Sequence, residues 1–184
     1  MVGFATALAG RGIETVTFNF LYTEQRRRVP DRRPVLDACY LAVIEQVRHE
    51  VPAARQALFI GGKSMGGRIA THVATDPTVG LAGVVLLGYP LHPPGKPQER
   101  RDAHLGDVAA PMLFVQGSRD AFGTPTELEP VLTSLAGRAT LHVVEGGDHS
   151  FKVAKGAALG QAAVHGQVQQ VISDWITEIR AASS

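Results

Sequence analysis

Leu58-Phe59-Ile60-Gly61-Gly62-Lys63-Ser64-Met65-Gly66-Gly67-Arg68-Ile69-Ala70 is the run whose reading decides the fold. The apolar stretch before the glycines reads as a buried strand. Met65 onward reads as the start of a helix made of small residues. Between them lies Gly62-Lys63-Ser64-Met65-Gly66, a G-x-S-x-G pattern. A serine on a sharp strand-to-helix turn has its hydroxyl pushed out above the sheet, and the crowded backbone there demands small neighbours. The helix N-terminus behind it favours developing negative charge. The pentapeptide alone is a weak signal; the strand before it and the helix after it give it weight.

The same residues suggest a phosphate-binding loop, because Gly62-Lys63-Ser64 ends like a Walker motif. That pattern needs a glycine five residues before Gly62, and Ala57 stands there. The intervening residues form a strand, so Lys63 is the variable residue of the turn.

Working outward, the chain alternates strand and helix. Ile13 to Phe20 is β-branched and apolar and predicts a strand after a helix that ends near Ala9. Val35 to Arg48 predicts a helix, with Leu36, Tyr40, Leu41, Ile44 and Val47 on its apolar stripe. Strands are expected at Ala57–Ile60, Leu81–Leu87, Pro111–Gln116 and Thr140–Glu145. Helices are expected at Met65–Ala74, Thr126–Leu135 and Gln161–Ala181. Trp175 falls on the apolar stripe of the last helix and reads as core. The near-continuous apolar strands indicate an α/β fold, with a mostly parallel sheet of about five strands flanked by helices on both faces. The segment from Gly88 to Asp107 contains Pro90, Pro93, Pro94 and Pro97 and reads as a long loop or small lid.

Length and charge narrow the classes. A chain of 184 residues makes one domain spanning 1–184. A net charge of +1 gives no reason to expect nucleic acid or membrane partners. The longest apolar run, Leu81 to Leu87, is far shorter than the roughly 20 residues needed to span a bilayer. Met1 to Gly10 is apolar but has no basic residues before it, the reverse of a signal peptide, so a cytoplasmic location is expected. The single cysteine, Cys39, excludes an internal disulfide and reads as a small buried residue. No histidine pair has metal-ligand spacing, so no metal and no cofactor are expected.

In an open parallel sheet, functional residues gather past the carboxyl ends of the strands. Three such ends carry complementary groups: Ser64, Asp120 in Gln116-Gly117-Ser118-Arg119-Asp120, and His149 in Glu145-Gly146-Gly147-Asp148-His149-Ser150-Phe151. A serine needs a base to remove its proton. Histidine suits that task near neutral pH, and a carboxylate fixes its tautomer. Asp148 is a rival for the acid, with Asp107 and Glu145 behind it, but adjacent residues usually point apart. His92, in the Pro-rich loop, is a candidate pocket residue. His49, His72, His104, His142 and His165 read as surface or packing residues. The arginines at Arg26, Arg27, Arg28, Arg32 and Arg33 read as a solvated loop, with recognition of an acidic substrate as the alternative.

These turns together resemble the α/β-hydrolase fold. The strings Gly61-Gly62-Lys63-Ser64-Met65-Gly66-Gly67-Arg68, Gly88-Tyr89-Pro90-Leu91-His92-Pro93-Pro94-Gly95-Lys96-Pro97 and Glu145 to Phe151 resemble a dienelactone-hydrolase-like branch. That branch is related to the hydrolase-like domain of a eukaryotic NSL-complex subunit. The resemblance implies a serine hydrolase acting on a small-molecule ester, thioester or lactone. Ser64, Asp120 and His149 would be catalytic, and Met65 would supply an oxyanion-hole N–H. Lys63, Tyr89, His92 and Phe122 would border the substrate pocket. A non-catalytic scaffold that binds a protein partner is the alternative. The resemblance further implies a strand and a His-Gly-rich loop ahead of the first helix, between the strands at Ile13–Phe20 and Ala57–Ile60. The sequence from Met1 has no counterpart to them, so a longer natural protein is expected, with a second oxyanion donor from that loop; direct pairing of the two flanking strands, or an inactive relative, are the alternatives.

Overall fold

The computed structural model describes residues 2–182. Its centre is a parallel sheet of four strands in the order β1-β2-β3-β4. These are β1 (Phe59–Lys63), β2 (Gly83–Leu87), β3 (Met112–Gly117) and β4 (Ala139–Val144). The register sets Gly61 opposite Val85, Val85 opposite Leu113, and Leu113 opposite Thr140. Every residue of β2 and β3 is buried, as a strand covered on both faces requires.

The helices are α1 (Val2–Ala9), α2 (Leu21–Glu24), α3 (Arg33–Glu50), α4 (Pro52–Gln56), α5 (Met65–Val73), α6 (Pro125–Ser134) and α7 (Gln161–Ala182). They cover the two faces separately. Val84, Leu86, Met112 and Phe114 point to one face, where α3, α5 and α6 supply Leu36, Tyr40, Ile69 and Leu128. Val85, Leu87, Leu113 and Val115 point to the other, where α7 supplies Val168, Ile172, Trp175 and Ile176. Trp175 is therefore a core residue. At the start of α6, Thr124 and Glu127 form a reciprocal capping box. Leu41, expected on the buried stripe of α3, is exposed; the buried stripe is Leu36, Tyr40 and Ile44.

The expected strand at Ile13–Phe20 does not form, so the sheet has four strands rather than about five. A strand needs a partner for its ladder, and the nearest edge, β1, lies across a cavity of about 690 Å³. That cavity is bounded by Ile13, Phe18 and Phe20 on one side and by Phe59, Gly61 and Lys63 on the other. In place of a ladder, the segment anchors through aromatic packing. Phe18 meets Phe20 and Tyr40 edge-on, at centroid distances of 5.4 and 5.0 Å.

The open edge of β1 is partly compensated. Leu58 and Ser64 bond toward β2, so alternation turns the groups of Phe59, Gly61 and Lys63 toward the cavity. The Tyr40 hydroxyl reaches across and satisfies both backbone groups of Gly61. Burial pushes the Tyr40 phenol up to about 12, with the bond to Gly61 opposing that shift. Its hydroxyl keeps its proton across the physiological range.

Candidate active site

Ser64 sits between β1 and α5 with φ 53° and ψ −120°, a strained conformation for a residue bearing a side chain. The turn is held tight by the close passage of Gly62 and Gly67. A Cβ on Gly62 would meet the Gly67 nitrogen at 2.9 Å, and one on Gly67 would meet the Gly62 oxygen at 2.7 Å. Only hydrogen fits at either position, which is the physical content of the glycines around the serine.

The turns after β3 and β4 are stitched together. The Ser118 N–H donates to the Val144 carbonyl at 3.0 Å, Arg119 N–H to the Gly147 carbonyl at 2.9 Å, and Gly146 N–H to the Ser118 hydroxyl at 2.8 Å. This brings Asp120 and His149 face to face. His149 Nδ1 lies 2.8 Å from Asp120 Oδ2 and 3.0 Å from Oδ1, and its Nε2 lies 2.8 Å from Ser64 Oγ. With a carboxylate facing Nδ1, that nitrogen carries the hydrogen, leaving Nε2 to accept from the Ser64 hydroxyl. Asp120 is 1% exposed, while the His149 side chain keeps a solvent-facing edge. The chain of bonds can move a proton from the serine to an imidazole backed by a buried negative charge.

Asp148, the rival acid, spends its carboxylate on its own turn. It accepts from Ser150 N–H at 2.7 Å and Lys152 N–H at 3.0 Å. Those backbone donors, the one at Lys152 foremost, hold its carboxyl below the usual range.

The expected pocket residues separate. Lys63 and Met65 border the 690 Å³ cavity together with Ser64. Lys63 also donates from Nζ to Ser150 Oγ at 2.8 Å. Phe122 stacks on the imidazole of His149, at 4.1 Å between centroids and 28° between planes. Tyr89 is buried, with its hydroxyl donating to the Arg101 carbonyl at 2.6 Å. His92 is buried as well, with its ring nitrogens 3.2 Å from Glu127 Oε1 and 2.9 Å from the Pro93 carbonyl. Neither Tyr89 nor His92 borders the cavity beside Ser64. Long-range pairing that local sequence does not encode ties His92 to α6.

Two contributors to the site's geometry lie outside the set expected from sequence. Gly88, with φ +64°, lies directly against His149. Gln116, fully buried, donates from Nε2 to Asp120 Oδ2 at 2.8 Å. Its sequence signal is a polar residue closing an otherwise apolar strand, four residues before the acid.

On the far side of α5, His72 and His104 stack with centroids 3.6 Å apart. Both are pushed down to about 4. For His72 the causes are burial, then His104, then Arg33; for His104 they are burial, then Arg68 and Arg33. Among the described residues, no group of three or more His, Cys, Asp or Glu side chains is placed to hold a metal. No helix among them is long and apolar enough to cross a membrane.

A family model described as an alpha/beta hydrolase domain matches residues 1–177. Solved structures show the same fold. A serine hydrolase homologue from Coxiella burnetii superposes with a TM-score of 0.72 at 21% identity, covering 94% of this chain and 74% of that one. A dienelactone hydrolase from Anabaena variabilis gives 0.71 at 20% identity, covering 96% and 77%. A serine hydrolase from Xanthomonas campestris, described as being without a lid, gives 0.71 at 23%, covering 95% and 72%.

Proposed function

The chain belongs to the alpha/beta hydrolase domain family, and from that premise we propose that it is a serine hydrolase cleaving a small-molecule ester, thioester or lactone. The observation that carries this reading is the unbroken hydrogen-bonded chain from Ser64 through His149 to Asp120.

In this reading Ser64 Oγ attacks the substrate carbonyl carbon while His149 Nε2 takes the hydroxyl proton. Asp120 holds the imidazole in the required tautomer and stabilises its positive charge. The carbonyl oxygen becomes an oxyanion and binds the Met65 N–H, one of the unpaired donors in the first turn of α5. Collapse of the tetrahedral intermediate breaks the bond to the leaving group, which departs with the proton from His149. Water, deprotonated by the same imidazole, then frees the acid from Ser64. No cofactor takes part. The 88–107 segment, anchored by buried Tyr89, Leu91 and His92, meets the site through Gly88, which lies against His149.

The test is hydrolysis of p-nitrophenyl acetate by the wild type and by Ser64→Ala. A rate that falls by about 10⁴-fold or more in the variant supports the reading. Equal rates, or no hydrolysis of this and related activated esters by the wild type, contradict it and leave the fold as a binding module.

A further inference from the structure

Gln116 is the penultimate residue of β3, and its side chain is fully buried. A buried primary amide is costly unless each polar atom finds a partner. Here Oε1 accepts from the Tyr89 N–H at 2.8 Å. Nε2 donates to Asp120 Oδ2 at 2.8 Å and to the Gly123 carbonyl at 2.7 Å, with the Tyr89 carbonyl at 3.3 Å. These partners fix which way the amide points. A flipped amide would aim its oxygen at a carboxylate and its nitrogen at a backbone N–H, and lose every bond.

We propose that Gln116 is a positioning residue for the reaction, holding the acid and the seat of the base as one unit. The inference rests on the reading of Ser64, His149 and Asp120 given above. Gln116 occupies one direction at Asp120 Oδ2, and the Phe122 N–H occupies one at Oδ1, 2.8 Å away. The directions left on the carboxylate are those used by His149 Nδ1. Through Oε1 the same amide fixes the N–H of Tyr89 and with it the Gly88–Tyr89 peptide. Gly88 is the surface on which His149 lies: a Cβ there would stand 2.9 Å from the His149 carbonyl and 3.3 Å from Nδ1. One side chain therefore spans the strand ends of β2 and β3 beneath both members of the proton relay.

The amide has a second effect. As a neutral donor it shares the charge of Asp120 and weakens the pull of that carboxylate on the imidazolium. Without it, the imidazole holds its proton more tightly, and the acid limb of the rate profile moves to higher pH. The side chains hydrogen-bonded to His149 are Asp120 and Ser64. The cation beside the site, Lys63, is bonded to Ser150. Phe122 and Gly88, the other neighbours of the ring, do not titrate.

The experiment measures inactivation of the full chain by a fluorophosphonate across pH 5–9 for the wild type, Gln116→Met, Gln116→His and Gln116→Glu. Met keeps the length and loses the donors. It is expected to react about 10–10²-fold more slowly at pH 7, with half-saturation by the probe within about twofold. Its acid limb is expected to move up by about half a unit to one unit. His offers one donor and one acceptor and is expected to lie within about fivefold of wild type, with the limb restored. Glu adds a carboxyl beside Asp120 and is expected to raise the limb as Met does. If Met does not fold, the Glu and His profiles decide the matter. Rates slowed equally at every pH with unmoved limbs, or no slowing at all, overturn the proposal and leave Gln116 a structural residue. A wild type that does not react at all overturns the hydrolase reading, and this inference falls with it.

Discussion

The Tyr40 hydroxyl donates to the Gly61 carbonyl at 2.6 Å and accepts from the Gly61 N–H at 3.1 Å. A side chain of α3 thus stands in for a neighbouring strand at the centre of the β1 edge, three residues before Ser64. The consequence is measurable. Tyr40→Phe keeps the ring packing against Phe18 and leaves both groups of Gly61 without their partner. Stability is expected to fall by about 1–3 kcal/mol, the cost of unsatisfied buried polar groups. In a chain of this size that lowers the melting temperature by about 2–4 °C for each kcal/mol. An unchanged melting temperature would mean that water or another group serves Gly61 equally well.

Gly88 makes a steric prediction. An alanine there faces both a positive φ and the His149 backbone at 2.9 Å. Either the turn or the imidazole must move, and a displacement of about 1 Å in a reacting group can cost about 10²-fold in rate. Gly88→Ala is expected to lose activity on that scale while remaining folded by circular dichroism. Activity within twofold of wild type would show that the contact tolerates a methyl group.

The two acids near His149 separate by substitution. Asp120→Asn presents an N–H where a carboxylate is needed, and is expected to lower kcat by about 10⁴-fold. Asp148 bonds only its own turn, so Asp148→Asn is expected to stay within about tenfold of wild type. A reversed order would transfer the acid's role to Asp148.

The stacked pair His72 and His104 sets a pH dependence. Both are held down to about 4 against an ordinary value of 6.5. As pH falls below about 6.5, the unfolded chain binds protons that the folded chain refuses, so stability is lost between about 6.5 and 4 and levels off below that window. Both side chains are partly exposed, so the loss is about 1 kcal/mol or less for each. Melting curves of wild type and His72→Gln at pH 7 and pH 4.5 read the effect. The variant is expected to lose less stability on acidification; an identical loss would place the acid sensitivity elsewhere.

What sequence revealed and what it hid follow from the range of the interactions involved. The turn at Ser64 was legible because its glycines answer a local steric demand. Asp120 and His149 were legible because each follows a strand end within a few residues, and the parallel sheet aligns those ends. That the core strands form a parallel sheet covered on both faces followed from their continuous apolar runs. The segment Ile13–Phe20 has the composition of a strand, yet a strand exists only with a partner, and β1 faces a cavity and the Tyr40 hydroxyl. Gln116 was passed over because its one signal, a polar residue at the end of an apolar run, has no periodicity and does not say that the side chain is buried against Asp120. The pairing of His92 with Glu127 was hidden because the two lie 35 residues apart and Glu127 sits in a helix whose capping box the sequence only hints at.

The most direct measurement is fluorophosphonate labelling followed by peptide mass mapping. A single adduct is predicted on Ser64, lost in Ser64→Ala and strongly slowed in His149→Ala and Asp120→Asn. An adduct on another residue, equal labelling of Ser64→Ala, or an unlabelled wild type that is folded would contradict the account.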